Sequence, residues 1–169
     1  VDHFNERYLT REVLERLANI GHGSMVMGGE SGNQDVLTSL NKRITVDQIL
    51  NSLILLKGLR ITPRYSFMIG LENETIPQMI DTLKLCIEMK EIDPRVDIAG
   101  PFIFRLYPGS PIFNRIVEKH NIALPKSLSD WAKYLEVNES SYSSMPWTPK
   151  RFQKKQRELI FYMRYAMLD

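Results

Sequence analysis

The chain has 169 residues, 43% of them hydrophobic and 25% charged, and a net charge of +2. This composition is that of an ordinary globular protein with room for one domain and a sizeable core, and the small net charge does not argue for nucleic-acid binding. No apolar run approaches the roughly 20 residues of a membrane span, and the polar start does not resemble a signal peptide.

Helical and strand patterns alternate along the chain as far as Asn121. In chain order they predict a helix over residues 9–20, a strand over 24–28, a short helix over 34–40, a helix from 45 that Gly58 stops, a strand over 62–69, a helix from 75, a strand over 96–104 and a helix over 110–119. Thr10, Thr45 and Ser110 are the predicted N-caps, and Pro111 follows Ser110 as the first helical residue. The third strand is expected to bend at Gly100.

A different pattern begins after these elements. A short helix is predicted over residues 127–137, a Ser-rich loop over 138–147 and a last helix from Thr148 to about Met167. The basic run over residues 150–157 falls on this last helix, where a solvated surface accounts for it without a nucleic-acid or membrane partner. The chain therefore divides into an α/β part, residues 1–125, and a helical carboxyl-terminal extension, residues 126–169.

Three strand–loop–helix units in series predict a parallel sheet with every loop at one edge. The expected fold class is α/β, with parallel strands and outer helices in a partial TIM-like (β/α) barrel, followed by carboxyl-terminal helices. A complete eight-unit barrel takes about 250 residues. Because the series starts with a helix rather than a strand, we expect the chain to be a fragment of a longer protein.

Polar and small residues collect where the predicted strands end, which is where sites form in such sheets. The candidates are Glu30 and Ser31 after the first strand, Ser66, Met68 and Gly70 on one face of the second, and Arg105 and Tyr107 after the third.

Each of these candidates also has a purely structural explanation. Glu30 can accept hydrogen bonds from ribose hydroxyls or from an ammonium group, or it can complement a helix N-terminus. Gly70 either lets a flat ligand approach the backbone or makes an ordinary turn, and the turn is favoured. Arg105 and Tyr107 either line a pocket or bridge to a neighbouring loop.

Cysteine and histidine are too few and too dispersed for a metal site. Cys86 is the single cysteine, and His3, His22 and His120 lie far apart. The chain alone therefore cannot hold an iron–sulfur cluster through three or four thiolates. A single cysteine also favours a reducing, cytoplasmic setting.

An ordered set of motifs resembles the carboxyl-terminal half of the radical S-adenosylmethionine core domain. The similarity is to the cobalamin-associated class that includes anaerobic magnesium-protoporphyrin monomethyl ester cyclases and related methyltransferases, and it covers about residues 8–131. The matching segments are residues 29–33 (Gly-Glu-Ser-Gly-Asn), 36–45 with Val36, Leu37, Leu40, Asn41, Lys42, Ile44 and Thr45, 66–71 (Ser-Phe-Met-Ile-Gly-Leu), 74–75 (Glu-Thr) and 107–111 (Tyr-Pro-Gly-Ser-Pro).

The resemblance implies a six-unit partial barrel in which S-adenosylmethionine lies across the strand ends beside a four-iron–four-sulfur cluster and yields a deoxyadenosyl radical. It places Glu30 and Ser31 at the ribose or methionine portion of the cofactor. It assigns adenine-side contacts to Ser66, Met68, Gly70 and Leu71, and it places Arg105 and Tyr107 near the cofactor or the substrate.

The chain departs from the family pattern in ways that bear on its activity. The CxxxCxxC cluster motif, the first three strands and a cobalamin domain are absent, so we expect a fragment that is inactive alone and whose partner is the missing amino-terminal part of the same polypeptide. The usual Pro-Gly after Gly-Leu is replaced by Glu72 and Asn73, which puts the shape of that loop in doubt. An open strand edge near Met25 also predicts self-association.

Two other functions stay open from the sequence. The chain can be a complete, non-catalytic α/β module that binds a protein through its last basic helix. It can also be a fragment of a different barrel enzyme that binds a phosphate at the strand ends.

Overall fold

A computed structural model describes residues 8–110, 112–135, 147, 154–155 and 157–162. Within these residues, helices and strands alternate as predicted. The elements are α1 (Arg11–Asn19), β1 (Ser24–Glu30), α2 (Gln34–Ser39), α3 (Val46–Leu56), β2 (Thr62–Ile69), α4 (Ile76–Ile92), β3 (Asp97–Ile103), α5 (Phe113–Lys119) and α6 (Leu128–Leu135).

The three strands form one parallel sheet in the order β1-β2-β3. Ser24 lies opposite Thr62 in the first pair of strands, and Ile69 lies opposite Ile103 in the second. Helices α2 and α3 connect β1 to β2, and α4 connects β2 to β3, as parallel neighbours require. The predicted α/β class, a partial TIM-like barrel with outer helices and helices after it, is confirmed.

The helices cover one face of the sheet and leave the other face open. Met27, Tyr65 and Phe67 are buried and belong to the main core, together with apolar residues of α1, α3 and α4. The opposite face carries Val26, which is 56% exposed, and the half-buried Ser66. The alternation of buried and exposed residues along β1 and β2 follows from this one-sided cover, because strands covered on both faces are apolar throughout.

Local sequence signals account for most element boundaries. The side chain of Thr10 caps α1, and Thr45 forms a capping box with Gln48 at the start of α3. The predicted bend in β3 is confirmed: Gly100 has a φ of +106°, and the register with β2 shifts next to it. An added Cβ at Gly100 would lie 2.5 Å from the carbonyl oxygen of Phe67, so only glycine fits there.

The predicted cap at Ser110 is wrong. Helix α5 begins at Phe113 with Ile112 at the N-cap position, because residues 107–110 form a turn in which the Ser110 N–H donates to the Tyr107 carbonyl at 3.4 Å. The Ser110 hydroxyl is buried and has no hydrogen-bond partner among the described residues. Pro111 lies outside the described residues.

The carboxyl-terminal part of the chain is described only in pieces. Helix α6 lies within the helix predicted over residues 127–137, whereas the predicted loop over 138–147 lies outside the described residues except for Trp147. Residues 154–155 and 157–162 are helical, with Lys154 exposed and Ile160 buried. The division at residues 125 and 126 stays a prediction. In the described part of the chain, no helix combines the length and the apolar character needed to cross a bilayer.

Candidate functional site

A cavity of about 460 Å³ lies at the carboxyl ends of the three strands, on the open face of the sheet. It collects five of the predicted site residues from all three strand ends. Its lining consists of Glu30, Ser66, Phe67, Met68, Pro101, Phe102, Ile103, Phe104, Arg105 and Tyr107.

Glu30 supplies the carboxylate of this cavity. The register between β1 and β2 shifts after Gly28, and Glu30 adopts a φ of +63°, so a bulge at the end of β1 directs its side chain. A non-glycine residue in this region of backbone space is uncommon and is associated with functional sites. The side chain is 17% exposed, and its Oε1 lies 2.5 Å from the Lys42 ammonium.

The glycines beside Glu30 make room for side chains. An added Cβ at Gly28 would lie 2.7 Å from the Oε1 of Glu30, and one at Gly29 would lie 2.6 Å from the ring of Phe67. Neither glycine has a positive φ. We conclude that Gly29 is needed for close packing against the buried ring of Phe67, whereas a Cβ at Gly28 would displace the end of the Glu30 side chain.

Apolar side chains form the wall opposite this carboxylate. Met68 pairs with Phe102 across the sheet, and Phe104 and Tyr107 extend the wall beyond β3. Phe102 is 56% exposed and Tyr107 is 52% exposed, although both are large and apolar enough to be buried. An apolar surface of this kind beside polar groups is typical of a ligand site.

Ser31 lies outside the cavity and joins β1 to α4. Its hydroxyl is buried and lies 3.2 Å from the hydroxyl of Thr82, which also accepts the Gly32 N–H at 2.9 Å. The Asn33 N–H donates to the Ser31 hydroxyl at 3.1 Å. These bonds give Ser31 a structural role, and its predicted contact with a cofactor stays a prediction.

Gly70 and Leu71 are buried just beyond the end of β2 and do not line the cavity. Both backbone N–H groups donate to the Oε2 of Glu74, at 2.5 Å for Gly70 and 3.0 Å for Leu71. The Gly70 carbonyl accepts the indole N–H of Trp147 at 3.1 Å. Burial raises the pKa of Glu74 to about 7, although the two N–H donors act in the opposite direction.

A charged cluster lies next to this loop and was missed by the sequence reasoning. The Glu72 side chain is only 6% exposed, and its oxygens lie 2.9 Å from the Arg115 guanidinium, 2.8 Å from the Lys119 ammonium and 2.7 Å from the His120 Nε2. The Lys119 hydrogen bond is the main reason why the pKa of Glu72 falls to about 2. Arg115 and Lys119 stand four residues apart on α5, the spacing of one helix face, which was the signal available in the sequence.

The cavity fits part of S-adenosylmethionine. A half-buried carboxylate can accept hydrogen bonds from ribose hydroxyls or from an ammonium group, and the apolar wall offers Met68 and Phe102 to a flat base. The chain does not fit an iron–sulfur cluster. Cys86, its only thiol, is fully buried in the core, and burial raises the pKa of that thiol. Across the described ranges, no group of three or more histidine, cysteine, aspartate or glutamate residues could hold a metal ion.

A parallel α/β sheet with helices on one face and a cavity at its carboxyl strand ends has the arrangement of partial and complete (β/α) barrels. Residues 3–86 match the family model of the radical SAM superfamily, and the chain belongs to that superfamily. Over 106 residues, 63% of the chain, it is 31% identical to the anaerobic magnesium-protoporphyrin IX monomethyl ester cyclase of Rubrivivax gelatinosus. The matched stretch is 18% of that relative's length, and residues 3–86 are the part of the chain that corresponds to the radical SAM family model.

Proposed function

We propose that the chain forms part of the S-adenosylmethionine-binding cradle of a radical SAM enzyme. The observation that carries this proposal is the convergence of Glu30, Ser66 and Met68, from two strands, with Arg105 and Tyr107 from the loop after the third, around one cavity. In this superfamily S-adenosylmethionine supplies the deoxyadenosyl radical that abstracts hydrogen from a substrate.

The residues of the cavity divide into a polar and an apolar set. Glu30 accepts hydrogen bonds from the ribose or the ammonium group, and the Lys42 ion pair fixes the orientation of its carboxylate. Met68 and Ser66 flank the adenine, and Arg105 and Tyr107 face the cofactor or the substrate from the loop after β3. Ser31, Gly70 and Leu71 lie outside the cavity and fix the positions of the strand ends through their hydrogen bonds.

The type of reaction is proposed from the relative. Its name supports chemistry of the cyclase type. Methyl transfer is the alternative, and we propose cobalamin as a further cofactor of the parent enzyme, both from the resemblance described above. We expect no activity from this chain alone, because its single thiol, Cys86, is buried in the core.

The cluster ligands come from an amino-terminal part of the same polypeptide, which would pair with the outer edge of β1, an edge strand of the described sheet. When the amino-terminal part is absent, we expect the unpaired edge of β1 to pair with a second copy of the chain.

Titration calorimetry with S-adenosylmethionine tests the cradle. Glu30→Gln keeps the shape of the side chain and removes its charge, and we expect at least about tenfold weaker binding, because hydrogen bonds to a charged group contribute about 1.5–3 kcal/mol. Glu88→Gln, an exposed change on α4, is the matched control and should bind like the unaltered chain. Equal affinities for all three proteins, or no binding to any of them, would contradict the proposal.

A further inference from the structure

The turn after β2 is tied to the helix after β3 by one buried carboxylate. Glu72, in the turn, contacts three basic side chains that all belong to α5 or its C-cap: Arg115 at 2.9 Å, Lys119 at 2.8 Å and His120 at 2.7 Å. We call these four residues the Glu72 cluster. The two long basic side chains keep about half of their surface in solvent, whereas the carboxylate is 6% exposed.

The turn itself does not require a charged residue. The Glu74 N–H donates to the Leu71 carbonyl at 3.2 Å, and Asn73 has a φ of +67° whereas Glu72 does not have a positive φ. This is the geometry of a type II turn, which favours proline at its second position and glycine at its third. Asparagine tolerates the positive φ, so the turn keeps the shape that Pro-Gly would give it. The carboxylate at the second position is then available for contacts outside the turn.

The Glu72 cluster connects the two sides of the cavity. The β2 side carries Ser66 and Met68, and α5 follows the loop that carries Arg105 and Tyr107. A backbone bond of 2.8 Å from the Phe104 N–H to the Ile69 carbonyl joins the end of β2 to the residue that follows β3. Both segments then continue as loops, and the contacts of Glu72 with α5 connect them.

Trp147 joins the same two sides from the carboxyl-terminal extension. Its indole N–H donates to the Gly70 carbonyl at 3.1 Å, at the end of β2. Its ring lies 5.2 Å from the ring of His120 and 6.1 Å from that of Phe104, measured between centroids. The tryptophan therefore packs against a member of the Glu72 cluster and against a residue that lines the cavity.

We propose that Glu72 is a positioning residue that, through Arg115, Lys119 and His120, sets the spacing between the two sides of the cavity. The identity of the ligand rests on the proposed function, whereas the connection between Glu72 and α5 rests on the contacts described above. Its consequence is that the affinity of the cavity for S-adenosylmethionine depends on ion pairs that lie outside the cavity. The carboxylate keeps its charge at neutral pH because Lys119 and the other basic groups hold its pKa at about 2.

Two variants distinguish the contacts of Glu72 with α5 from its effect on the shape of the turn. Glu72→Gln removes the charge and keeps the side-chain volume. Glu72→Pro combined with Asn73→Gly also removes the charge but gives the turn the residues that its geometry favours. Glu118→Gln is the matched control, because Glu118 is an exposed carboxylate on the same helix α5.

The first measurement is amide hydrogen exchange, which needs no ligand. The amides of Gly70 and Leu71 report on the turn, and those of Ile116 and His120 report on α5. In Glu72→Gln we expect all four to exchange about tenfold faster, as expected for locally weakened contacts, while the core amide of Tyr65 is unchanged. In the Pro-Gly variant we expect slow exchange in the turn and fast exchange in α5.

The second measurement is the dissociation constant for S-adenosylmethionine at about 0.02 M salt, where ion pairs are least screened. The unaltered chain and Glu118→Gln should bind with equal affinity. Both Glu72 variants should bind several-fold more weakly. Recovery of full affinity in the Pro-Gly variant would overturn the proposal, because Glu72 would then act through the turn alone. If none of the proteins binds the cofactor, the proposed function fails, and unchanged exchange in α5 would separately refute the connection between Glu72 and α5.

Discussion

Replacing Glu74 by glutamine should change how the stability of the protein depends on pH. The Oε2 of Glu74 accepts the Gly70 and Leu71 N–H groups, while its Oε1 is buried and has no hydrogen-bond partner among the described residues. Burial raises its pKa from the ordinary 4.5 to about 7, so the folded state holds the proton more tightly than the unfolded chain does. The contribution of Glu74 to stability is therefore fully present below pH 4.5 and is lost as the pH rises to about 7.

The size of this effect follows from the two pKa values. Keeping the carboxylate charged at pH 8 costs the folded state up to about 3 kcal/mol relative to the unfolded chain. Glu74→Gln keeps an acceptor for both N–H groups but buries an amide N–H₂ group in place of Oε1, which costs about 1 kcal/mol. At pH 8 we therefore expect the variant to be about 1–2 kcal/mol more stable than the unaltered chain, and at pH 4.5 to be no more stable.

Urea unfolding at pH 4.5, 6 and 8 measures this difference. The exposed Glu91→Gln change on α4 is the control, and its stability should follow that of the unaltered chain at every pH. Parallel pH profiles for the unaltered chain and Glu74→Gln would refute the reasoning, since they would mean that the Glu74 carboxyl titrates in the folded state as it does in water.

Three further changes have defined outcomes. Gly29→Ala should lower the stability by about 1–3 kcal/mol in urea unfolding, because the new Cβ would lie 2.6 Å from the buried ring of Phe67; an unchanged midpoint would show that the ring can move aside. Ser31→Ala should lower the free energy of unfolding by about 1–2 kcal/mol, because the hydroxyl bond to Thr82 is lost. Its affinity for S-adenosylmethionine in calorimetry should be unchanged, and a large loss would instead support the predicted contact of Ser31 with the cofactor. The pKa of Glu72 is about 2 in the folded state and 4.5 in the unfolded chain, so the unfolded chain takes up the proton at higher pH. The protein should therefore lose stability as the pH falls from 4.5 to about 2. In an acid unfolding curve, Glu72→Gln should show a smaller loss over this range.

Local signals in the sequence predicted the fold well. The strand over residues 62–69 has the predicted bounds, and the capping box at Thr45 begins α3 as expected, because both depend on neighbouring residues only. Ser110 is the exception. Its identity favours a cap, but the turn over residues 107–110 uses its backbone instead, and α5 starts three residues later. Competition between two local structures of similar energy is not decided by residue type.

The sequence predicted which strand ends lie together because parallel strands bring their carboxyl ends to one edge of the sheet, while the role of these residues in binding stays a prediction. That rule suffices to place Glu30, Met68 and Tyr107 around one cavity. It gives no information on side-chain pairs between distant segments, such as Glu30 with Lys42 or Glu72 with α5. These pairs depend on a bulge, on positive φ angles and on the paths of loops, all of which are fixed by packing across the whole sheet.

An NMR titration of the labelled chain with S-adenosylmethionine tests most directly whether the three strand ends form one binding site. We predict that the amide signals which move belong to Glu30, Ser66, Met68 and Arg105, with near-saturation by about 10 mM and a dissociation constant of about 1 mM, equivalent to about 4 kcal/mol. Shifts confined to the basic helix around Lys154, or no shifts over the same range, would contradict the assignment of this cavity to the cofactor.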